Sequence, residues 1–156
     1  MLPVDSERDT GARLALMCGL PKSGKTTYAR RLQGRGWVRV CPDEIRRALH
    51  GRGHYPPAEP VVWANAELSV RALLIGGHRV VLDATNTTRH RRAPWLRLAR
   101  ELGVPACAYV LRTPKEECHR RNERSEEPVP PEVIDRMARQ WEEVTEDGLK
   151  VHLVEG

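Results

Sequence analysis

The sequence predicts an α/β fold in which five parallel strands form a sheet with helices on both faces. Two observations carry that expectation. Short apolar runs alternate with segments of helical period from residue 13 onward, and parallel strands covered on both faces read as such runs. The first run, Leu14-Ala15-Leu16-Met17-Cys18, leads straight into Gly19-Leu20-Pro21-Lys22-Ser23-Gly24-Lys25-Thr26, and a stretch without helix breakers follows. That is a strand, a glycine loop and a helix, with every position of the phosphate-binding pattern G-x-x-x-x-G-K-[ST] filled.

The expected strands are Arg13–Cys18, Trp37–Cys41, Arg79–Asp83, Ala106–Leu111 and Val151–Val154. The first helix runs from Thr26 to Leu32 and stops at Gly34 and Gly36. Asp43–His50 is a short second helix. Pro60–Ile75 carries Ala66, Val70, Leu73 and Leu74 at helical spacing, and Gly76-Gly77 ends it. Arg91–Leu102 sets Trp95, Leu98 and Leu102 on one face and stops at Gly103. Thr113-Pro114-Lys115-Glu116 has the form of a capping box with proline at the first helical position. Val133, Met137, Trp141 and Val144 mark one face of a last helix. The polar, proline-studded stretch before it, Glu123–Pro131, suits either a mobile lid or a stiff connector, and the candidate lid region spans residues 113–142.

One domain over residues 13–156 fits this length, and residues 1–12 read as a flexible polar leader. Net charge is +5, with arginine supplying most of the 26 basic side chains. Such a surface suits an anionic partner, whether nucleic acid or only a bound nucleotide. Cys18, Cys41, Cys107 and Cys118 form no C-x-x-C pair, which excludes a zinc ribbon or thioredoxin motif. The first three fall in apolar runs and read as small buried hydrophobes. No stretch nears the ~20 apolar residues of a transmembrane helix, and Met1–Ala12 does not resemble a signal peptide. The expectation is a cytoplasmic protein without membrane contact. His50 and His54 read as residues of a solvated turn, and the loop Gly51–Pro57 is where an acceptor groove is expected.

Gly19 and Gly24 let the backbone fold tightly around a polyphosphate, and the following helix points its free N–H groups at the anion. The candidate donor-binding residues are Gly19, Pro21, Lys22, Ser23, Gly24, Lys25, Thr26 and Thr27. Lys25 would reach the β- and γ-phosphates of ATP, and the Thr26 hydroxyl would ligate Mg²⁺. Asp43-Glu44-Ile45-Arg46 places a carboxylate and a guanidinium about one helical turn apart. Phosphoryl transfer to an alcohol needs such a carboxylate to take the hydroxyl proton, and a cation near the phosphoryl oxygens. Asp43 equally suits a helix cap, and Arg46 a surface position. Val80-Val81-Leu82-Asp83 is an apolar strand ending in a carboxylate, like a Walker B element. Asp83 could hold Mg²⁺ directly or through water, or could simply close a strand-end turn. His119-Arg120-Arg121-Asn122-Glu123-Arg124 offers cations to a triphosphate, or favourable charge to a helix C-terminus.

Taken together, these segments resemble the kinase module of polynucleotide 5′-hydroxyl kinases, within the wider set of small P-loop phosphotransferases. The likeness rests on Gly19–Thr26, Asp43-Glu44-Ile45-Arg46, Asp83-Ala84-Thr85-Asn86, Arg121-Asn122-Glu123-Arg124, and Val129-Pro130 with Val133-Ile134 and Met137. It implies a P-loop kinase fold, ATP and Mg²⁺ as cofactors, and the 5′-OH end of RNA or DNA as acceptor. It further implies Asp43 as general base, Arg46 on the reacting or neighbouring nucleotide phosphate, and Arg121 and Arg124 as lid arginines on ATP. Glu123, Glu126 and Glu127 make the lid short and acidic, a departure that bears on Arg124. Phosphatase or ligase partners would be separate chains. Two other readings stand beside this one. A small-molecule kinase would act on a nucleoside, sugar or antibiotic. A non-catalytic NTP-binding module would have no use for Asp43 as a base.

Overall fold

The computed structural model describes residues 11–156. The strands are β1 (Leu14–Cys18), β2 (Val38–Val40), β3 (Val80–Leu82), β4 (Ala106–Leu111) and β5 (Lys150–Val154). They form one parallel sheet in the order β2-β3-β1-β4-β5. The α-helices among the described residues are α1 (Lys25–Gln33), α2 (Pro42–His50), α3 (Glu59–Ile75), α4 (Arg89–Leu102), α5 (Lys115–Glu123) and α6 (Pro131–Gln140). The expected five-stranded parallel sheet is therefore what forms, with most boundaries moved by a residue or two. Residues 1–10 of the expected leader lie outside the described residues, and Ala12 is buried against the sheet.

Side chains alternate across a strand, and β1 shows why it sits at the centre. Leu14, Leu16 and Cys18 join one core with Val70 and Leu74 of α3 and Trp95 and Leu98 of α4. Ala15 and Met17 join the other with Tyr28, Ala29 and Leu32 of α1 and Trp37. All five β1 residues are buried. Apolar area removed from water stabilises by about 25 cal/mol per Å², so a strand with no polar face is driven to the middle. Its carboxyl end then opens at the sheet edge where ligands bind in this architecture.

Three local expectations are corrected. Thr113 makes no capping box: α5 begins at Lys115 with no side-chain cap, and the Thr113 hydroxyl instead donates to Ser23 O at 2.7 Å. The last helix stops at Gln140, because Trp141 turns out with ψ 128°. Its buried residue is Ile134, while Trp141 and Val144 follow in an irregular segment. α4 begins at Arg89, two residues early, where the Thr88 side chain accepts from the Arg91 N–H at 3.2 Å. All four cysteines are buried and free. Burial pushes the Cys18 thiol up to about 12, which makes it inert. Among the described residues no helix is long and apolar enough to cross a membrane.

Candidate active site

The loop between β1 and α1 is fixed through its backbone. The Gly19 N–H donates to Thr85 O at 2.9 Å. A Cβ at Gly19 would meet Ser23 Oγ at 2.6 Å and Leu111 Cβ at 3.0 Å, so only glycine fits. Gly24, at the start of α1, has φ 104°, a region that glycine enters without steric cost. Lys22 is left-handed with φ 68°, the kind of strain that gathers at ligand clamps. α1 has no side-chain cap, so its first N–H groups remain available to an anion. Lys25 is buried, and its ammonium donates to Leu20 O at 2.6 Å. Burial pushes its pKa down, and the Asp83 charge opposes that shift. Pro21 is half-buried and Thr27 is exposed in the first turn of α1.

Thr26 and Asp83 lie together. The Thr26 hydroxyl donates to Asp83 Oδ2 at 2.9 Å. The same oxygen accepts from Arg39 Nε at 2.9 Å and lies 2.8 Å from Arg39 Nη2. Arg39 reaches onward to Glu44 Oε1 at 2.7 Å. Burial would lower the Arg39 pKa, but its hydrogen bonds to Glu44 and Asp83 win and raise it. Reading the sequence missed Arg39. The signal was a lone charge in the middle of the short apolar strand Val38-Arg39-Val40.

Asp43 lies in the first turn of α2, but the cap position belongs to Cys41, and no side chain caps this helix. The Asp43 side chain is 70% exposed and accepts from Arg46 Nη1 at 2.6 Å. Arg46 also forks onto Glu59, Nε to Oε2 at 2.9 Å and Nη2 to Oε1 at 2.6 Å. Its guanidinium stands 5.8 Å from the centre of the Trp63 ring. The hydrogen bond from Arg46 holds the Glu59 carboxyl below its usual range against an opposing burial effect.

Arg121 of α5 lies over the phosphate loop, donating from Nη1 to Lys22 O at 3.3 Å. Arg124 closes α5 and is exposed. The stretch after α5 is pinned on three sides. Lys22 Nζ donates to Ser125 Oγ and Glu127 O, each at 2.9 Å. Arg47 of α2 pairs with Glu127 at 2.6 Å. The Asn122 side chain bonds Val129 O and the Val129 N–H at 2.8 and 2.9 Å. A cleft of about 850 Å³ opens beside the β3 end, between α3, α4 and the segment past α6. Residues 51–57 do not line it. Within that loop Arg52 stands 4.8 Å over the Tyr55 ring. Among the described residues no three His, Cys, Asp or Glu side chains form a metal-binding group.

Fold and loop define a P-loop kinase architecture with a nucleotide-binding loop. The chain belongs to the AAA domain family, whose model matches residues 14–144. A structure of the Pnkp1/Rnl/Hen1 RNA repair complex contains a chain 26% identical to this one, with TM-score 0.73, covering 88% of this chain and 46% of that chain. A second structure of the Pnkp1/Rnl/Hen1 complex is 30% identical with TM-score 0.65, over 72% of this chain and 39% of that one. This chain therefore spans less than half the length of both. The Mycobacterium tuberculosis APS kinase CysC, in complex with AMPPNP and APS, is 18% identical with TM-score 0.64 and shares the fold, over 92% of this chain and 88% of that one. No curated protein matches the sequence.

Proposed function

We propose that this protein transfers the γ-phosphate of ATP, with Mg²⁺, to a hydroxyl at the 5′ end of RNA or DNA. The observation that carries the reading is the Asp43 carboxylate. It is exposed, it does not serve the helix end, and it pairs with Arg46 just past β2, on the same sheet edge as the phosphate loop. In this reading the loop amides cradle the polyphosphate, and Lys25 swings from Leu20 O onto the β- and γ-oxygens. Mg²⁺, held by Thr26 and Asp83, would neutralise charge developing on the transferring phosphoryl group. Thr26 and Asp83 offer the hard oxygens such a cation takes. Thr26 donates its proton to Asp83 and so keeps its lone pairs for the ion, while Asp83, already holding Thr26 and Arg39, acts from behind it.

The acceptor hydroxyl attacks the γ-phosphorus as its proton passes to Asp43. The bond from that phosphorus to the β–γ bridging oxygen breaks, and ADP leaves. Arg46 and Arg121 face the spreading negative charge from the acceptor and lid sides. Positioning and charge neutralisation do most of the work in such a transfer. Arg124, exposed at the end of α5, would add a second lid cation. The likeness to chains of the Pnkp1/Rnl/Hen1 complexes and the +5 net charge support a nucleic-acid acceptor. A small-molecule acceptor is the second reading, favoured by the match over 88% of the APS kinase's own length.

Transfer of labelled phosphate to a 5′-OH oligonucleotide, a nucleoside and a sugar tests the proposal. The oligonucleotide is expected to be the best acceptor. Asp43→Asn is expected to slow single-turnover transfer by about 10²- to 10⁴-fold, the usual loss of a general base, with ATP affinity unchanged. A variant within a few-fold of wild type would remove Asp43 as the base, and a nucleoside that outperforms the oligonucleotide would favour the small-molecule reading.

A further inference from the structure

The cleft beside the β3 end has walls of an unusual kind. Trp63 of α3, Trp95 of α4 and Trp141 all line it, three of the four tryptophans in the chain. Trp95 is buried, with its ring centre 6.4 Å from that of Trp63, while Trp63 and Trp141 are half-exposed. Arg91 and Arg139 bring two cations, and Glu67 and Glu142 two carboxylates. The cleft meets both halves of the proposed chemistry. Trp63 lies against Arg46, which holds Asp43. Thr85, another lining residue, accepts the Gly19 N–H of the phosphate loop.

The Trp141 wall is a built feature. Helix α6 stops at Gln140 without a glycine, and the chain is caught by the fully buried Arg92. Arg92 donates to Glu142 O and Glu143 O at 3.2 Å each, to Asn86 O at 2.9 Å, and to Glu146 Oε2 at 2.6 Å. The Glu142 N–H donates to Thr87 O at 2.9 Å. These bonds clamp the turn after β3 to the segment after α6 and set the indole in the cleft wall.

We propose that this cleft receives the terminal nucleobase of the acceptor strand, stacked on Trp63 and Trp141, with Arg91 and Arg139 receiving the phosphate that follows. The assignment rests on the polynucleotide-acceptor reading above. Flat aromatic walls suit a π-face of any base and carry little sequence preference. Glu67 and Glu142 disfavour a bare anion deep in the cleft, yet they accept hydrogen bonds from the amino groups of a neutral base. The volume falls in the range of ~300–1,000 Å³ typical of ligand pockets.

The test is fluorescence anisotropy of a 3′-labelled, single-stranded 5′-OH oligonucleotide, against the same strand with an abasic first residue. The intact strand is expected to bind roughly 5- to 150-fold more tightly, as one base stack is worth. Trp141→Ala should weaken the intact strand by a similar factor and leave the abasic strand unchanged, and Trp141→Phe should restore most of the loss. Equal affinity for the two strands on the wild-type protein overturns the proposal, whatever the variants do. The assay needs no turnover, so it separates the two readings. Base-dependent binding without phosphate transfer removes the kinase and keeps the cleft assignment. Transfer with base-independent binding does the reverse.

Discussion

The Asp83 side chain is 2% exposed, and a carboxylate so buried requires a countercharge. Arg39 supplies it from β2, the neighbouring strand, and joins Asp83 to Glu44 at the start of α2. One guanidinium thus links the element that carries the proposed base to the one that carries the proposed metal residue. Removing one partner of a buried ion pair typically costs about 3–5 kcal/mol. Arg39→Met is therefore expected to lower stability in denaturant unfolding by about that much. Asp83→Asn in the same background should recover part of the loss, because the two residues are coupled. A loss no larger than that of a surface substitution would mean that Arg39 does not hold Asp83. Thr26 and Asp83 were legible in the sequence because each sits at a fixed place in a local pattern. Arg39 was not, because its partner lies 44 residues away. The fork from Arg46 onto Glu59 escaped for the same reason.

Helices announced themselves by their periodicity, and α1 and α3 end where glycine ends them. The errors lie where tertiary contacts take over a local signal. Thr113 carries a capping-box sequence, but its hydroxyl serves the phosphate loop through Ser23 O. The helical pattern through Trp141 and Val144 is overridden by Arg92, which takes the Glu142 and Glu143 carbonyls. Between α5 and α6, the sequence left a mobile lid and a stiff connector open. The hydrogen bonds favour the connector in this state. Asn122 is buried and returns both bonds to Val129, mimicking a backbone pair. Each such bond is worth about 1 kcal/mol net. Asn122→Ala is expected to speed amide hydrogen exchange at Val129, whose N–H it leaves without an acceptor, with global stability falling by about 1–3 kcal/mol. Unchanged protection at Val129 would show that other contacts hold this stretch.

Across the molecule, the sequence showed a parallel sheet covered by helices on both faces. The strand order did not follow from it, because parallel neighbours are chosen by contacts between distant segments. The same holds for the pair that joins α4 to the segment before β5. Arg92 is fully buried, and its partner Glu146 is 15% exposed at 2.6 Å. Burial alone would raise the Glu146 pKa, but the hydrogen bond and charge of Arg92 outweigh it and hold the carboxyl below its ordinary 4.5. A carboxyl with its folded pKa depressed binds fewer protons folded than unfolded, so it stabilises the fold above the unfolded value. That contribution is complete above about pH 5 and is lost as pH falls through the folded pKa. Glu146→Gln should lower stability at neutral pH by about 3 kcal/mol, the cost of leaving a buried cation without its counterion. The variant should also lose less on acidification than wild type, so the two stability curves converge toward pH 3. The measurement is denaturant midpoint against pH for both proteins. Parallel curves would show that the ion pair does not set the acid limb. A variant as stable as wild type at pH 7 would show that the carbonyls of Asn86, Glu142 and Glu143 alone satisfy Arg92.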